Sequence, residues 1–346
     1  MRALTISEHG GLERLEYRED VAVPEPGRHD VRVKIHAAAL NHLDVFTLGG
    51  LPGVSISAPW VMGADGAGIV DAIGSDVRSV NAGDRVVINP GISDGSCEFC
   101  MRGEQSMCVR FRLLGEHLPG TFAEFVAVPA RNVRVIPQDV RFDTAAAFLL
   151  ATLTAYRMLV TRAQVQAGDD VLIWGIGGGV AQAAMRLALD RGARVWVTSG
   201  SDEKLARAAA LGATETLNHR TMSVGKEVRA RTGKRGVSVV VDSVGQSTWG
   251  ESLASLGRGG RLVTCGGTSG SVVETDVRRL FWNQWTIMGS TMGNDAEFEA
   301  VVAELSNGNL PPVIDSMFEL ANGRAAFERM MSGEQFGKIV LRVADE

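Results

Sequence analysis

The sequence predicts an α/β protein built around a doubly wound parallel sheet, with a smaller β-rich domain ahead of it in the chain. The first observation is the stretch from Val171 to Ala181, where four apolar residues typical of a buried strand lead through a glycine-rich turn into a helix. The second is the alternation of strand and helix patterns that follows it, from Arg194 to Cys265. The third is a period-two alternation from Val31 to Ala37, typical of a half-buried strand.

The glycine-rich turn predicts a dinucleotide-binding site. Gly175 permits a tight turn, and Gly177, Gly178 and Gly179 let backbone N–H groups approach a pyrophosphate at the start of the helix, where Val180 follows. A helix N-terminus carries unpaired donors and the positive end of the helix dipole, which favour a bound anion. Glycine also serves ordinary loops, so the prediction depends on the position of the turn between a strand and a helix.

Composition excludes several classes of function. The chain has 346 residues, enough for two domains, because single cores tend to split beyond ~250 residues. Its 35 basic and 40 acidic residues leave a net charge of −5, without the basic stripe that nucleic-acid binding needs. The longest apolar run, from Ala145 to Tyr156, is too short to span a bilayer, and no leader pattern precedes Ser7. We expect a cytoplasmic protein with no nucleic-acid or membrane partner.

The remaining patterns place the domains. Strands are predicted over 31–37, 68–72, 85–88 and 123–128, and a helix over 144–160. The central region continues with strands over 194–198, 238–242, 261–265 and 285–288 and helices over 205–211 and 249–256. Asn294 and Glu297 have the spacing of a capping box. The tail from Glu299 contains one or two helices and a final strand over 338–342, which we expect to return to the first domain.

A set of short motifs identifies a family. They are Asn41-His42-Leu43-Asp44, Gly63-Ala64-Asp65-Gly66-Ala67-Gly68, Gly83-Asp84-Arg85-Val86, a cysteine-rich segment, the glycine-rich turn and Gly337-Lys338. In this order and spacing the chain resembles the medium-chain dehydrogenase/reductase superfamily, which includes zinc-type alcohol dehydrogenases and quinone oxidoreductases. The resemblance implies a GroES-like catalytic domain over 1–125 and 290–346, and a Rossmann dinucleotide-binding domain over 126–289.

The cysteine-rich segment is the most specific chemical signal. The family's structural-zinc lobe holds four cysteines, and Cys97, Cys100 and Cys108 match the last three, while Asp94 stands where the first would be. A carboxylate can also bind zinc, so an Asp-Cys-Cys-Cys site with one structural Zn²⁺ per chain is chemically reasonable. Two alternatives remain open. The lobe has lost its metal, or Cys97 and Cys100 form a redox pair.

The residues for a catalytic zinc are missing. In the family's alcohol dehydrogenases the reactive metal is bound at four places, where this sequence has Asn41, Ala64, Asp65 and Leu150. Alanine and leucine have no ligand atom, and the other two are too few for a stable Zn²⁺ site. Without this Lewis acid, alcohol oxidation is disfavoured. The resemblance then points to the zinc-free members, which reduce quinones or the C=C bond of enones and enoyl thioesters.

The end of the second central strand predicts the cofactor. NAD-binding members place an acidic residue there for the ribose hydroxyls, and here that position is Ser199, with Lys204 shortly after it. A hydroxyl and a lysine suit a 2′-phosphate, so we expect NADPH rather than NADH. Asp202 and Glu203 argue in the other direction, although acidic residues at a helix start also favour the helix dipole. The resemblance places His219 beside the adenosine phosphate.

Further cofactor contacts follow from the resemblance. Thr154 lies where the family contacts the nicotinamide amide, and Lys338 matches a lysine near the cofactor. Val244, Cys265 and Gly266 follow later strands at the carboxyl edge of the predicted sheet, where ligands bind in such folds. We interpret Cys265 as a small apolar wall residue and not as a nucleophile.

The function predicted is hydride transfer from NADPH to a quinone or a small hydrophobic conjugated carbonyl compound, in the cleft between the domains. Asn41 is the candidate donor to the substrate oxygen, and His42 and Asp65 are secondary candidates. We expect Phe46, Leu48, Trp60 and the 281–292 region to line the pocket. Alternatives are an alcohol dehydrogenase with an unusual metal site and a non-catalytic NADPH-binding protein. The strand over 285–288 suggests a homodimer, which a monomer mass in light scattering would contradict.

Overall fold

The computed structural model describes residues 1–345 and divides the chain into two compact units. The first comprises Met1–Ala151 together with the chain from Gly293 onward, and the second is Thr152–Met292. The first boundary therefore differs from the predicted position at residue 125. The reason is that two strands after residue 125 hydrogen-bond to the first unit's sheet and a long helix then continues up to the boundary.

Eighteen strands and ten helices build the described chain. The strands are β1 Ala3–Ile6, β2 Leu15–Arg18, β3 Asp30–Ala39, β4 Trp60–Val61, β5 Asp65–Ile73, β6 Arg85–Ile88, β7 Gly91–Ile92, β8 Arg112–Leu113, β9 Phe125–Pro129, β10 Val133–Val135, β11 Asp170–Ile173, β12 Arg194–Ser199, β13 Glu215–Asn218, β14 Val237–Val241, β15 Leu256–Thr264, β16 Thr286–Gly289, β17 Ile314–Glu319 and β18 Lys338–Arg342. The helices are α1 His42–Gly49, α2 Glu98–Met101, α3 Phe142–Tyr156, α4 Gly179–Asp190, α5 Asp202–Ala210, α6 Val224–Arg231, α7 Trp249–Ser255, α8 Val277–Asn283, α9 Asp295–Ser306 and α10 Gly323–Met331.

The first unit is organised around a sheet with strand order β10-β6-β5-β3-β18-β17, to which β9 adds on β3. Alternate side chains of β3, Val31, Val33 and Ile35, are fully buried in its core, as the period-two pattern predicts. The last strand, β18, pairs antiparallel with β3. The C-terminal segment is therefore part of the same core as the N-terminal one.

Strand register in this sheet brings three distant residues to one end. Ala39, at the end of β3, pairs with Asp65 at the start of β5 and with Val340 in β18. Two residues beyond Ala39, the chain reaches Asn41 just before α1, and two residues before Val340 lies Lys338. Asp65, Asn41 and Lys338 therefore meet at the same edge although they are up to 297 residues apart in sequence.

A glycine holds the backbone in place before Asp65. Gly63 has a φ of 99°, and a Cβ added there would lie 2.2 Å from Cδ1 of the buried Phe122. No other residue satisfies both conditions. Thr121, next to Phe122 in the chain, donates its hydroxyl hydrogen to the Asp65 carbonyl oxygen at 2.7 Å. This end of β5 is therefore tightly constrained.

The second unit is a six-stranded, fully parallel sheet in the order β13-β12-β11-β14-β15-β16. The central strand β11 is buried along its whole length, which explains its continuous apolar run. The order runs outward from β11 in both directions, as in doubly wound folds. The predicted fold class is confirmed.

One helical stretch, Phe142–Arg162, is long and apolar enough to cross a membrane by length and composition. It is longer than the predicted apolar run because a π-helical turn, Arg157–Arg162, continues α3. Of its most apolar window, 78% is buried inside the protein, as expected for the core helix of a globular domain.

Candidate functional site

A buried polar cluster lies at the shared end of β5, β3 and β18. The Lys338 ammonium donates to Asn41 Oδ1 at 2.6 Å and to Asp65 Oδ2 at 2.9 Å, and Asn41 Nδ2 donates to Asp65 Oδ2 at 2.9 Å. Only 4% of Lys338 and none of Asp65 is exposed. A buried ion pair is stable only when hydrogen bonds satisfy its remaining donors and acceptors, which this arrangement largely achieves.

The other Asp65 oxygen is also occupied. Asp65 Oδ1 accepts a hydrogen bond from the backbone N–H of Leu150, in α3, at 2.9 Å. The four positions at which the family's alcohol dehydrogenases bind a reactive metal thus contain two apolar side chains and two polar ones already bonded to Lys338. These residues do not fit a catalytic zinc ion.

Asp44 is a second buried carboxyl group close to this cluster. It lies in the first turn of α1, is 1% exposed, and accepts a hydrogen bond from the Asn41 backbone N–H at 2.7 Å. Burial raises the pKa of Asp44 to about 7, although the Asn41 hydrogen bond and the Lys338 charge oppose the shift. Sequence reasoning quoted this residue as part of a motif but gave it no role. The Asn41-to-Asp44 capping spacing was the available signal.

His42 follows Asn41 and has an exposed side chain. Its ring lies 6.4 Å from that of Phe46, centroid to centroid. The surrounding protein lowers the pKa of His42 despite this exposure, and the Lys338 charge lowers it further. The imidazole is therefore neutral at physiological pH and can accept or donate a hydrogen bond.

The cysteine-rich lobe brings its four predicted ligands together. Ligand atoms of Asp94, Cys97, Cys100 and Cys108 all lie within 4.8 Å of one another, and within residues 1–345 this is the one such group of histidine, cysteine or acidic side chains. All three cysteines are free thiols. Three thiolates and a carboxylate fit tetrahedral Zn²⁺.

Asp94 is already held by its neighbours. Its Oδ1 accepts from the backbone N–H groups of Ser96 and Cys97 at 2.8 and 2.9 Å, and these bonds hold the pKa of Asp94 well below its usual range. Its Oδ2 lies 3.2 Å from Arg110 Nη1. The carboxylate is thus ionised and oriented, as a metal ligand must be, but it shares its charge with an arginine.

The turn in the second unit fits a dinucleotide phosphate. Gly175 has a φ of 69°, and a Cβ there would meet no atom nearer than Val244 Cγ2 at 3.8 Å. Helix α4 begins at Gly179 after its N-cap Gly178, so the first-turn N–H groups of Gly179 and Val180 have no partner within the helix. The turn is therefore open in front of a twelve-residue helix, as a bound pyrophosphate requires.

The end of β12 lies beside β13, which brings Ser199 and Asn218 together. Ser199 pairs with Asn218, and the Asn218 side chain holds the Asp202 carboxylate with a 2.6 Å hydrogen bond. Of the two acidic residues that argue for NADH, Asp202 is therefore engaged by a neighbouring amide, whereas Glu203 lies exposed in the first turn of α5. Lys204, in the first turn of α5, donates its backbone N–H to Ser201 Oγ at 3.4 Å.

Arg220 is a residue of this region that sequence reasoning missed. Its side chain passes over Gly200, where an added Cβ would lie 2.6 Å from Arg220 Nε. Asn218 Oδ1 accepts the Arg220 backbone N–H at 3.0 Å. The signal was its position directly after His219, since β13 runs parallel to β12 and ends at the same edge.

The remaining predicted cofactor residues also lie in the second unit, Lys338 excepted. His219 lies against Trp174 with ring centroids 6.0 Å apart, and burial lowers the pKa of His219. Thr154 donates to Met292 Sδ at 3.7 Å, and Val244 donates its N–H to Asp242. Cys265 and Gly266 directly follow β15.

The structure also bears on two other predictions, the role of Cys265 and the residues that line the pocket. Burial raises the pKa of Cys265 to about 12, which agrees with a wall residue and not a nucleophile. The expected pocket residues Leu48 and Trp60 are 2% and 8% exposed and pack in the core of the first unit. Phe281 and Trp282 are 63% and 66% exposed.

Comparison with known proteins agrees with this arrangement. Residues 27–138 match the alcohol dehydrogenase GroES-like domain family, and residues 179–307 match the zinc-binding dehydrogenase family. A solved NAD-dependent alcohol dehydrogenase is 42% identical with a TM-score of 0.95, covering 99% of this chain and 100% of that one. Human quinone oxidoreductase is 29% identical over 99% of this chain and 97% of its own length. A solved crotonyl-CoA carboxylase/reductase is 27% identical, with a TM-score of 0.91 over 99% of this chain and 88% of that one.

The first prediction concerns the lobe. Replacing Asp94 with cysteine should raise zinc affinity roughly tenfold or more, because a thiolate is a softer ligand and is free of the Arg110 pairing. Asp94→Ala should lower zinc affinity by a comparable factor. Affinity is measured by competition with a chromophoric chelator. The control is Glu98→Ala, which removes an exposed acid paired with Arg102 in the same lobe. Equal affinities in all four proteins would show that Asp94 is not a ligand.

The second prediction concerns pH. Because the folded protein holds the Asp44 proton up to about pH 7 and the unfolded chain releases it near pH 4, stability from this group is greatest at low pH. This contribution of Asp44 to the free energy of unfolding is lost as the pH rises toward 7, by at most about 4 kcal/mol in all. Above about pH 7 the contribution changes little. Asp44→Asn keeps an oxygen for the Asn41 N–H and should remove this component.

The measurement is the urea midpoint of both proteins from about pH 5 to about pH 8. The wild-type midpoint should fall relative to that of Asp44→Asn across this range and level off at the top. Parallel pH profiles would show that Asp44 is ionised throughout.

Proposed function

Because the chain belongs to the medium-chain dehydrogenase/reductase superfamily, we propose that it is an NADPH-dependent reductase that transfers a hydride to a quinone or to the C=C bond of a conjugated carbonyl compound without a catalytic zinc. The observation that carries the proposal is the cluster of Asn41, Asp65 and Lys338. It joins two of the four positions at which the family's alcohol dehydrogenases bind the reactive metal, and the other two, Ala64 and Leu150, have no ligand atom.

This reaction needs little from the protein beyond orientation and hydrogen-bond donors. The bound dinucleotide supplies the hydride, and negative charge then develops on the carbonyl oxygen of the acceptor. A donor aimed at that oxygen stabilises the transition state. Asn41 has one amide hydrogen bonded to Asp65 at 2.9 Å and the other only weakly bonded to the Ala39 carbonyl at 3.3 Å. Because the second hydrogen has only this long contact, it is the one that an acceptor oxygen can share without displacing Asp65.

The names of the relatives divide between two activities. The quinone oxidoreductase and the crotonyl-CoA carboxylase/reductase favour reduction of a quinone or an enoyl compound, whereas the alcohol dehydrogenase favours oxidation of an alcohol. An alkoxide needs an electrophilic partner, and the residues at positions 41, 64, 65 and 150 offer no metal site for one. The donor set therefore supports the first activity. A non-catalytic NADPH-binding protein is the remaining alternative.

The preference for NADPH is supported by charge at the end of β12. Asp202 is engaged by Asn218, and Arg220 crosses Gly200 beside Ser199 with an exposed guanidinium. Among the contacts of residues 1–345, no carboxylate forms an ion pair with this guanidinium. An arginine guanidinium can bind a phosphate with two parallel charge-assisted hydrogen bonds. It binds a ribose hydroxyl no better than water does.

We also propose a cytoplasmic homodimer, paired through β16. This strand is the outer edge of the parallel sheet, and the adjacent α8 exposes Phe281 and Trp282. An unpaired edge strand next to exposed aromatic residues is typical of an interface.

The third prediction tests the reaction. NADPH oxidation should proceed with a quinone, an enone or an enoyl thioester, and treatment with a metal chelator should change that rate by less than about twofold, since no metal touches the substrate. Far-ultraviolet circular dichroism before and after treatment controls for unfolding of the lobe. Turnover of an aldehyde alone, abolished by the chelator and restored by zinc, would contradict the proposal. Cofactor binding with no turnover of any acceptor would favour the non-catalytic alternative.

The fourth prediction tests the cofactor. Arg220→Gln should raise KM for NADPH by about 10- to 100-fold, the value of a charge-assisted hydrogen bond to phosphate, and leave KM for NADH nearly unchanged. Arg258→Gln removes an exposed charge at the opposite end of the same sheet and serves as the control. A wild-type preference for NADH, or equal effects on both cofactors, would overturn this assignment.

A further inference from the structure

The buried lysine is the least expected member of the cluster. Family resemblance suggests a cofactor contact for Lys338, yet its ammonium donates to Asn41 and Asp65 inside the first unit. No other acceptor for its Nζ lies among the described residues. A buried ammonium is costly to desolvate, so its retention at this place calls for an explanation.

The position of the ammonium is determined by the sheet and not by a flexible loop. Lys338 is the first residue of β18, Leu40 donates its N–H to Ile339 at 2.9 Å, and Asp65 begins β5 on the other side of β3. The cation therefore sits beside residues 41 and 65, which align with two of the metal-ligand positions of the zinc-type enzymes. The Lys338 ammonium is therefore a cation that the chain itself supplies beside these positions.

We propose that Lys338 is a positioning residue whose ammonium takes the place of the metal cation in this cluster and holds Asn41 in the orientation that presents an amide hydrogen to the acceptor. The expected effect of Lys338 on kcat rests on the proposed reductase function. The replacement of the metal cation by the ammonium does not.

The orientation of the Asn41 side-chain amide follows from donor and acceptor chemistry. An ammonium only donates, so Lys338 bonds to Asn41 Oδ1, which accepts, and excludes the donor Asn41 Nδ2 from its side. The amide cannot flip while Lys338 is charged and in place, so one Nδ2 hydrogen stays on Asp65 at 2.9 Å. The other has only the long 3.3 Å contact to the Ala39 carbonyl, and this is the hydrogen that an acceptor oxygen can share. Asp65 in turn is held by the Leu150 N–H at its other oxygen. Removing the ammonium frees the amide to rotate and leaves the Asp65 charge without its partner.

The kinetic test compares three variants with an acceptor that the wild type reduces. Lys338→Met should lower kcat by about 100-fold or more with KM for NADPH within about threefold, because a lost orienting cation affects the transition state and not cofactor binding. Lys338→Arg keeps a cation and should recover at least about a tenth of the wild-type kcat. The double variant Asp65→Asn with Lys338→Met has no uncompensated buried charge, so it should fold like the wild type and remain slow.

Two kinetic outcomes would overturn the proposal. Recovery of wild-type kcat in the double variant would show that the pair only stabilises the fold. A rise in KM for NADPH in Lys338→Met, with kcat unchanged, would show that Lys338 contacts the cofactor instead.

A second measurement does not depend on any activity. In the background Asn41→Cys, Ala64→His and Leu150→Cys, which supplies three metal ligands, Co²⁺ is titrated after the lobe has been filled with zinc. The tethered cation should weaken Co²⁺ binding by about 100-fold or more relative to the same background with Lys338→Met, because two cations compete for one place. Visible absorption of Co²⁺ reports binding. Equal Co²⁺ affinities in the two proteins would overturn the proposal that the Lys338 ammonium takes the place of the metal cation. This outcome does not depend on which acceptor the enzyme reduces.

Discussion

The first unit depends on the buried contact between Lys338 and Asp65. Removing one partner of such a pair typically costs about 3–5 kcal/mol, because the other charge remains buried without compensation. The contact joins the two ends of the chain's first domain, since Asp65 begins β5 and Lys338 begins β18. Both residues also form hydrogen bonds with Asn41. The polar cluster is therefore complete only when the C-terminal segment is paired in the sheet.

The two polar sites in this unit illustrate two ways of handling buried charge. In the cluster, each acceptor oxygen of Asp65 is bonded to a group of the chain, so the carboxylate needs no external cation. In the lobe, three thiols and the Asp94 carboxylate converge with no cationic side chain among them, and Arg110 reaches only the outer oxygen of Asp94. The first arrangement is complete in itself, and the second has a ligand set that could hold a metal ion.

The second unit shows how a parallel sheet turns sequence neighbours into a binding edge. Residues after β11, β12, β13, β14 and β15 all emerge on one side, where α4 also begins. Charge at this edge depends on small local contacts. Asn218 engages Asp202, and the missing side chain at Gly200 gives Arg220 its place. A single substitution at Asn218 or at Gly200 would therefore alter the electrostatic potential at this edge of the sheet without altering the fold.

Local patterns were sufficient for much of this protein. The apolar run of β11, the glycine-rich turn and the strand–helix alternation predicted the parallel sheet, because each depends on residues within about one element. The spacing of Cys97, Cys100 and Cys108 predicted a lobe for the same reason, and the apolar residues at 64 and 150 argued against a catalytic zinc ion. Leu48 and Trp60, which the sequence predicts to line a pocket, pack in the hydrophobic core of the first unit, a placement that depends on long-range contacts.

Only the tertiary structure decided what the polar residues bind. The sequence by itself determined the fold class, the open turn at Gly175 and the identity of Asn41 and Asp65 as candidates. It could not show that Lys338 binds both of them, because that contact depends on the register of three strands that are distant in the chain. It could not show the raised pKa of Asp44 or the path of Arg220 over Gly200 either. Burial and long-range register are properties of the assembled sheet, and no local pattern of residues encodes them.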